Sequence, residues 1–167
     1  MNTKPNKGFT LVELIVVILL LAIISVTAIS RFGGRQIYEL YALQEQVSSV
    51  VRQVQLNRMQ SNMDMSVSVS GADSLRLVAV NGCLGSQSAC DNLAETRSDV
   101  ISSDDYTFSS QPLSTTSSPI EFNLLGNPES AASAGVQITI SSKNSSDRVW
   151  VCINSQGFVY PSNQVCP

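Results

Sequence analysis

The chain has 167 residues, of which 43% are hydrophobic and only 14% charged, with a formal net charge of −3. It contains no histidine. That removes the commonest general base and the most frequent metal ligand, and it argues against an enzyme. Downstream of Met63, four basic residues (Arg76, Arg97, Lys143, Arg148) stand against ten acidic ones, so this part carries −6. Such a surface offers little to a phosphate backbone and makes nucleic acid an unlikely partner.

Residues 1–8 are polar and basic, with Lys4 and Lys7 ahead of an apolar run. By the positive-inside rule this end is expected to stay cytoplasmic. Residues 9–30 are almost continuously apolar, and Glu13 is their one charge. At ~1.5 Å per residue, a helix of this length reaches about 33 Å, enough to span a hydrocarbon core. Arg31 ends the run and Gly33-Gly34 follow. Adjacent glycines weaken a helix by roughly 1 kcal/mol each relative to Ala, so a kink or flexible joint is expected there.

Residues 36–63 return to helical spacing. Ile37, Leu40, Tyr41, Val47, Val50, Val51, Val54 and Met59 recur at three- and four-residue steps, the pattern of an amphipathic helix with one face to bury. Glu39, Gln44, Glu45, Arg52, Gln55 and Arg58 lie between them. The period then changes to two. Ser66–Ser70 and Leu75–Val80 alternate around Gly71-Ala72-Asp73, which predicts a hairpin, and Asn81-Gly82 is a turn signal. Residues 84–119 read as loop, with a short strand at Tyr106–Phe108. Further strands are expected at Ile120–Leu125, Val136–Ile140, Arg148–Ile153 and Phe158–Tyr160, with a turn at Asn144-Ser145-Ser146. The predicted fold is α+β: a long N-terminal helix followed by an antiparallel sheet, with the 36–63 helix covering the sheet's apolar face.

The segment Gly8-Phe9-Thr10-Leu11-Val12-Glu13-Leu14, preceded by a basic leader and followed by an apolar run, resembles the processing motif of type IV pilins and type II secretion pseudopilins. The resemblance implies a pilin-like fold and cleavage by the prepilin peptidase between Gly8 and Phe9. It also implies methylation of the new Phe9 amine and an assembly role for Glu13. The parts would be a leader (1–8) removed on maturation, a membrane and filament-core helix (9–35) and a globular head (36–167). Implied partners are other pilin subunits, the peptidase, the inner-membrane assembly platform and, before assembly, the membrane itself. The precursor would sit in the bacterial inner membrane with its head in the periplasm. The assembled form would be an extracellular pilus or a periplasmic pseudopilus.

Elementary electrostatics agrees with the resemblance. A carboxylate in an apolar helix is unfavourable by roughly 2.5–3.5 kcal/mol on insertion scales, so it calls for a partner. Cleavage after Gly8 supplies one, because the Phe9 amine would lie four residues from Glu13 on the same helical face. In a filament core, pairing within or between subunits would favour the correct axial register. One departure is Ser30, where many members carry a proline. Beyond residue 30 the likeness is architectural, and the whole chain looks similar to minor pilins of mannose-sensitive haemagglutinin type pili.

Cys83, Cys90, Cys152 and Cys166 all fall after residue 82. An even count in an exported domain reads as two disulfides. Four cysteines permit three connectivities, and pairing of sequence neighbours is preferred. In the resembled family a C-terminal disulfide often brackets an exposed loop, as Cys152 and Cys166 would.

Simpler readings compete with these. Ala28-Ile29-Ser30 could serve an ordinary secretory signal peptide, but the apolar region exceeds the usual ~7–15 residues and contains Glu13. A plain membrane anchor leaves Gly8-Phe9 and Glu13 unexplained. A zinc site lacks a C-x-x-C pair and histidine. Asp104-Asp105 fit a solvated loop better than a calcium site, and Asn144-Ser145-Ser146 matches a glycosylation sequon but also a polar turn. No catalytic or phosphate-loop motif occurs, so neither cofactor nor metal is expected. The expected function is a structural subunit, a minor pilin serving pilus assembly, adhesion or surface attachment. A type II secretion pseudopilin is the alternative, and a DNA-uptake pilin is disfavoured by the −6 head.

Overall fold

A computed structural model describes residues 9–32, 35–63, 71–92, 97–115 and 118–167. The chain divides into two units, residues 1–38 and 39–167. The expected joint at Gly33-Gly34 and the expected strand Ser66–Ser70 lie outside the described residues.

In the first unit, helix α1 spans Leu11–Phe32, with side chains described through Ser25. Every large apolar residue among them is exposed, from Leu11 at 74% to Ile24 at 60%. A helix that is apolar all round must be covered by something beyond its own chain.

Helix α2 spans Arg35–Gln60. In the second unit it is followed by a 3₁₀ turn at Ala72–Leu75, β1 (Leu77–Val80), β2 (Cys83–Ser86) and a short helix α3 (Gln87–Asp91). Then come β3 (Val100–Ser102), β4 (Tyr106–Gln111), β5 (Gly135–Ser142), β6 (Arg148–Asn154) and β7 (Val159–Ser162). The strands form two antiparallel sheets, β1-β2-β3 and β4-β5-β6-β7, rather than one.

Helix α2 covers the larger sheet. Leu40, Leu43, Val47, Val50, Val51 and Val54 share one core with Phe108, Val136, Ile138, Ile140, Val149, Val151, Ile153 and Val159. The sheet residues are alternate positions on β4 to β7, as a half-buried sheet requires. Ile37, Tyr41 and Met59, expected on the same face, are exposed instead. The burial stripe swings to include Gln44, Ser48, Gln55 and Arg58, all at most 6% exposed.

Those polar groups are buried because each finds a carbonyl or hydroxyl partner. Gln44 Nε2 donates to Trp150 O at 2.7 Å and Ser162 O at 2.9 Å. Gln55 Nε2 donates to Gly126 O and Gly157 O, both at 2.9 Å, and so ties two surface turns together. Arg58 Nε donates to Phe122 O at 2.9 Å. The partly exposed Arg52 donates to Val159 O at 2.9 Å. Helix and sheet are joined by hydrogen bonds as well as apolar packing.

Several expectations need correction. Strand β1 pairs with β2, and Asn81-Gly82 forms the connecting turn. Asn81 has φ +49°, a left-handed conformation that asparagine tolerates. A side chain at position 82 would meet Ser103 O at 2.5 Å, so glycine is required there. Gly71-Ala72-Asp73 leads into a 3₁₀ turn. The region read as loop over 84–119 contains β2, α3, β3 and a β4 longer than expected. Among the described residues, Ile120–Leu125 makes isolated bridges rather than a ladder, at Ile120 with Leu77 and at Phe122 with Pro128. The Asn123–Gly126 turn, closed by Gly126 N–H to Asn123 O at 3.0 Å, interrupts it.

The smaller sheet carries a buried charge cluster. Asp99, 6% exposed, accepts from Arg97 Nε at 2.9 Å and Nη2 at 2.8 Å, and from Ser86 Oγ at 2.6 Å. The Arg97 bonds, with help from Ser86, hold its carboxyl below the ordinary 3.8 against the opposing effect of burial. A depressed carboxylate stabilises the fold at pH above 3.8 and loses that contribution as pH falls through the lower folded value. Arg97→Met should therefore cost about 1–2 kcal/mol at neutral pH. The difference from the parent should shrink towards zero near pH 2, as read from urea midpoints at the two pH values.

Candidate functional site

Helix α1 starts at Leu11 because Thr10 caps it. The Glu13 N–H donates to Thr10 Oγ1 at 3.2 Å, and the Leu14 N–H to Thr10 O at 3.3 Å. Thr10-x-x-Glu13 is the spacing of a capping box, in which a hydroxyl satisfies an N–H that has no partner within the helix. This role for Thr10 was not anticipated, although the spacing was visible in the sequence. Glu13 lies in the first turn, where the helix dipole favours a negative charge.

Phe9, immediately before the cap, is 83% exposed. Phe9 and Glu13 thus bracket the first turn of a helix whose described side chains are all exposed. Gly8 lies outside the described residues. Among those residues, no helix is long and apolar enough to cross a membrane.

The cysteines form two disulfides. Cys83–Cys90 joins β2 to α3 with a Cα–Cα distance of 5.9 Å. Cys152–Cys166 ties the segment after β7 back onto β6 with a Cα–Cα distance of 5.8 Å. Their sulfurs are consumed in these bonds, which disposes of the zinc alternative.

Asp104 and Asp105 are exposed. Asp105 Oδ1 accepts from Asn144 Nδ2 at 3.4 Å. Among the described residues, no cluster of three His, Cys, Asp or Glu side chains is placed to hold a metal ion. Asn144 sits in the β5–β6 turn, where the Ser145 hydroxyl donates to Asp147 Oδ2 at 2.9 Å.

The family description "Prokaryotic N-terminal methylation motif" matches residues 3–29. The match spans Gly8, Phe9 and Glu13. No curated protein matches the chain, and no solved structure does. A prepilin-type motif implies processing by a peptidase, a membrane-anchored precursor and assembly with other pilins. It points to a structural subunit rather than an enzyme. With an N-terminal helix and antiparallel sheets behind the motif, the chain is supported as a type IV pilin-like protein, a pilin or pseudopilin subunit.

Proposed function

We propose that the chain is a minor subunit of a type IV pilus, of the mannose-sensitive haemagglutinin kind, contributing to pilus assembly and adhesion. The observation that carries the reading is the methylation motif over residues 3–29. In this reading the prepilin peptidase cuts between Gly8 and Phe9 and methylates the Phe9 amine. The apolar run of residues 9–30, read from the sequence, would hold the precursor in the inner membrane as a single span, with the head in the periplasm.

Assembly moves that helix from lipid into a bundle of like helices. Both surroundings cover the apolar surface that α1 exposes, so the transfer has little hydrophobic cost. The amine and the Glu13 carboxylate are the exceptions. They are best satisfied by each other, within or between subunits, and this sets the register of the filament.

Intact mass of the native protein from bacterial membranes or sheared filaments tests the reading. The expected value is that of residues 9–167 plus one methyl group, less the hydrogens lost to two disulfides. A chain starting at Arg31 would instead mean an ordinary signal peptide and no filament subunit. Deleting the gene and scoring surface pili against exported enzymes separates a pilus subunit from a secretion pseudopilin.

A further inference from the structure

The smaller sheet turns one face to the core through Leu77, Ala79, Leu84 and the partly buried Ile101. Its two edges differ in what lies against them. At β1, Leu77 exchanges N–H and C=O bonds with Ile120 at 2.9 and 2.8 Å, and the Ala79 N–H donates to Ser114 Oγ at 2.9 Å. That margin is taken.

At β3 the Ser86 N–H donates to Asp99 O at 2.9 Å and the Ser103 N–H to Gly82 O at 2.8 Å. These bonds fix the phase of the ladder. Asp99, Ile101 and Ser103 turn their backbone groups towards β2, and Val100 and Ser102 turn theirs away. Among the described residues, nothing bonds to the outward N–H and C=O groups of Val100 and Ser102. Val100 is half-buried and Ser102 is exposed. Sheet edges are commonly guarded by lysine, proline or a bulge. Val100-Ile101-Ser102 has neither residue, and its register with β2 is unbroken. Its shortness confines pairing to two residues, which suits a peptide segment rather than another sheet.

A groove of about 380 Å³ lies beside this edge. Val80, Cys83 and Ser102 are paired across the three strands, on the face opposite the core, and line it. Asp104 is the one charged residue of the lining. It is exposed, and its carboxylate has no hydrogen-bond or ion-pair partner among the described residues. Asp105 follows, also exposed. Lys143 adjoins them through its N–H, which donates to Asp105 O at 2.9 Å, so two carboxylates stand against one ammonium.

A strand added to β3 places one residue opposite Ser102, next in the row Val80, Cys83, Ser102. Its side chain enters the open side of the groove beside Asp104, where a lysine or arginine meets an unpaired carboxylate. Two positions on, the residue opposite Val100 lies on the same face against an apolar neighbour, which suits valine or isoleucine.

We infer that the β3 edge binds an extended segment of another protein by strand addition, antiparallel to β3, with a basic residue opposite Ser102 and a β-branched one opposite Val100. A second copy is the poorer occupant, because the part of the chain after Met63 carries −6 and like charges repel. The inference goes beyond the proposed function and does not rest on it, since the edge lies within the second unit.

The test uses the full chain, labelled with ¹⁵N, in a zwitterionic detergent. The probes are capped heptapeptides with lysine and valine two positions apart and only threonine, serine or alanine elsewhere. Amide hydrogen exchange reads the edge directly. In the free protein the Val100 and Ser102 N–H groups should exchange rapidly, while that of Ile101, which faces β2, is protected. A lysine–valine peptide should protect both amides saturably. Methylating the backbone nitrogen of its lysine removes a donor to the edge and should weaken binding by about ten-fold. Glutamate in place of the lysine should weaken it by about five-fold or more. Asp104→Asn should cost the lysine peptides about three- to five-fold and leave a peptide with alanine at that position unaffected.

Asp104 is exposed, so its variant is expected to melt like the parent, and the modified peptides leave the protein unaltered. Val100 and Ser102 amides already protected without peptide would mean that the chain itself or a second copy holds the edge. That result, protection by no peptide of the panel, or equal binding of lysine and glutamate peptides would each overturn the assignment. Intact mass and piliation do not involve this edge, so the filament reading and this one can fail separately.

Discussion

Glu13→Ala is expected to leave precursor processing intact and to remove the subunit from filaments. In the proposed mature chain the Phe9 amine loses its only built-in counter-charge, while α1 stays otherwise unchanged. An amine buried in a filament core without a partner costs about 3–5 kcal/mol, which corresponds to roughly 100-fold or more in incorporation. The helix should still form, because its first turn is capped by the Thr10 hydroxyl acting on the Glu13 backbone, which alanine retains. Glu13→Gln, which can accept a hydrogen bond but carries no charge, should fall between parent and alanine. The measurement is subunit content in sheared filaments relative to membranes, by immunoblot. Undiminished incorporation of Glu13→Ala would end the register role for this carboxylate.

The second large effect concerns the head. Replacing Cys152 and Cys166 together by serine should destabilise it by about 3 kcal/mol in the chain-entropy description of a loop of this length. The sequence separation is 14. A further contribution is expected because Cys152 is 1% exposed, so a serine there buries a hydroxyl in place of sulfur. The shorter Cys83–Cys90 link, with a separation of 7, should contribute somewhat less, about 2.5 kcal/mol. Urea unfolding of the full chain in detergent, followed by Trp150 fluorescence, measures both. A loss below about 1 kcal/mol for the Cys152/Cys166 pair would show that the C-terminal segment is held by its other contacts, such as Cys166 N–H to Gln137.

What could be read from the sequence followed from how local each signal is. The motif around Phe9 and Glu13 occupies seven consecutive residues, so it needs no folded context. The core face of α2 shows in the three- and four-residue spacing of its valines and leucines. The same face holds Gln44, Gln55 and Arg58, which read as solvent-facing because their carbonyl partners lie 64 to 118 residues away in the chain. No periodicity reports such partners. Strand β5 and strand β6 are alternating or β-branched and were visible. Strand β2, Cys-Leu-Gly-Ser, has no β-branched residue. It becomes a strand because β1 and β3 flank it on both sides, and all four of its residues are buried. Ile120–Leu125 shows the reverse: its apolar residues do enter the core at Ile120 and Phe122, but a turn forestalls the ladder. The groove that the Cys152–Cys166 disulfide forms on the outward sheet face draws on positions from 111 to 167 and is legible only once the strands are in register.

The Arg52 bond to β7 bears on how copies of this head behave when crowded together. Counting the antiparallel ladder from Asn154 N–H to Phe158 O, Val159 and Pro161 turn their backbone groups to the outer edge of the sheet. Proline has no N–H to give, and the Val159 carbonyl is already taken by Arg52. An incoming strand finds no donor at Pro161 and an acceptor at Val159 already engaged by Arg52, so this margin is a poor template for sheet growth and amyloid-like stacking. Heads brought together at high local concentration are thereby hindered from fusing along this edge of the larger sheet.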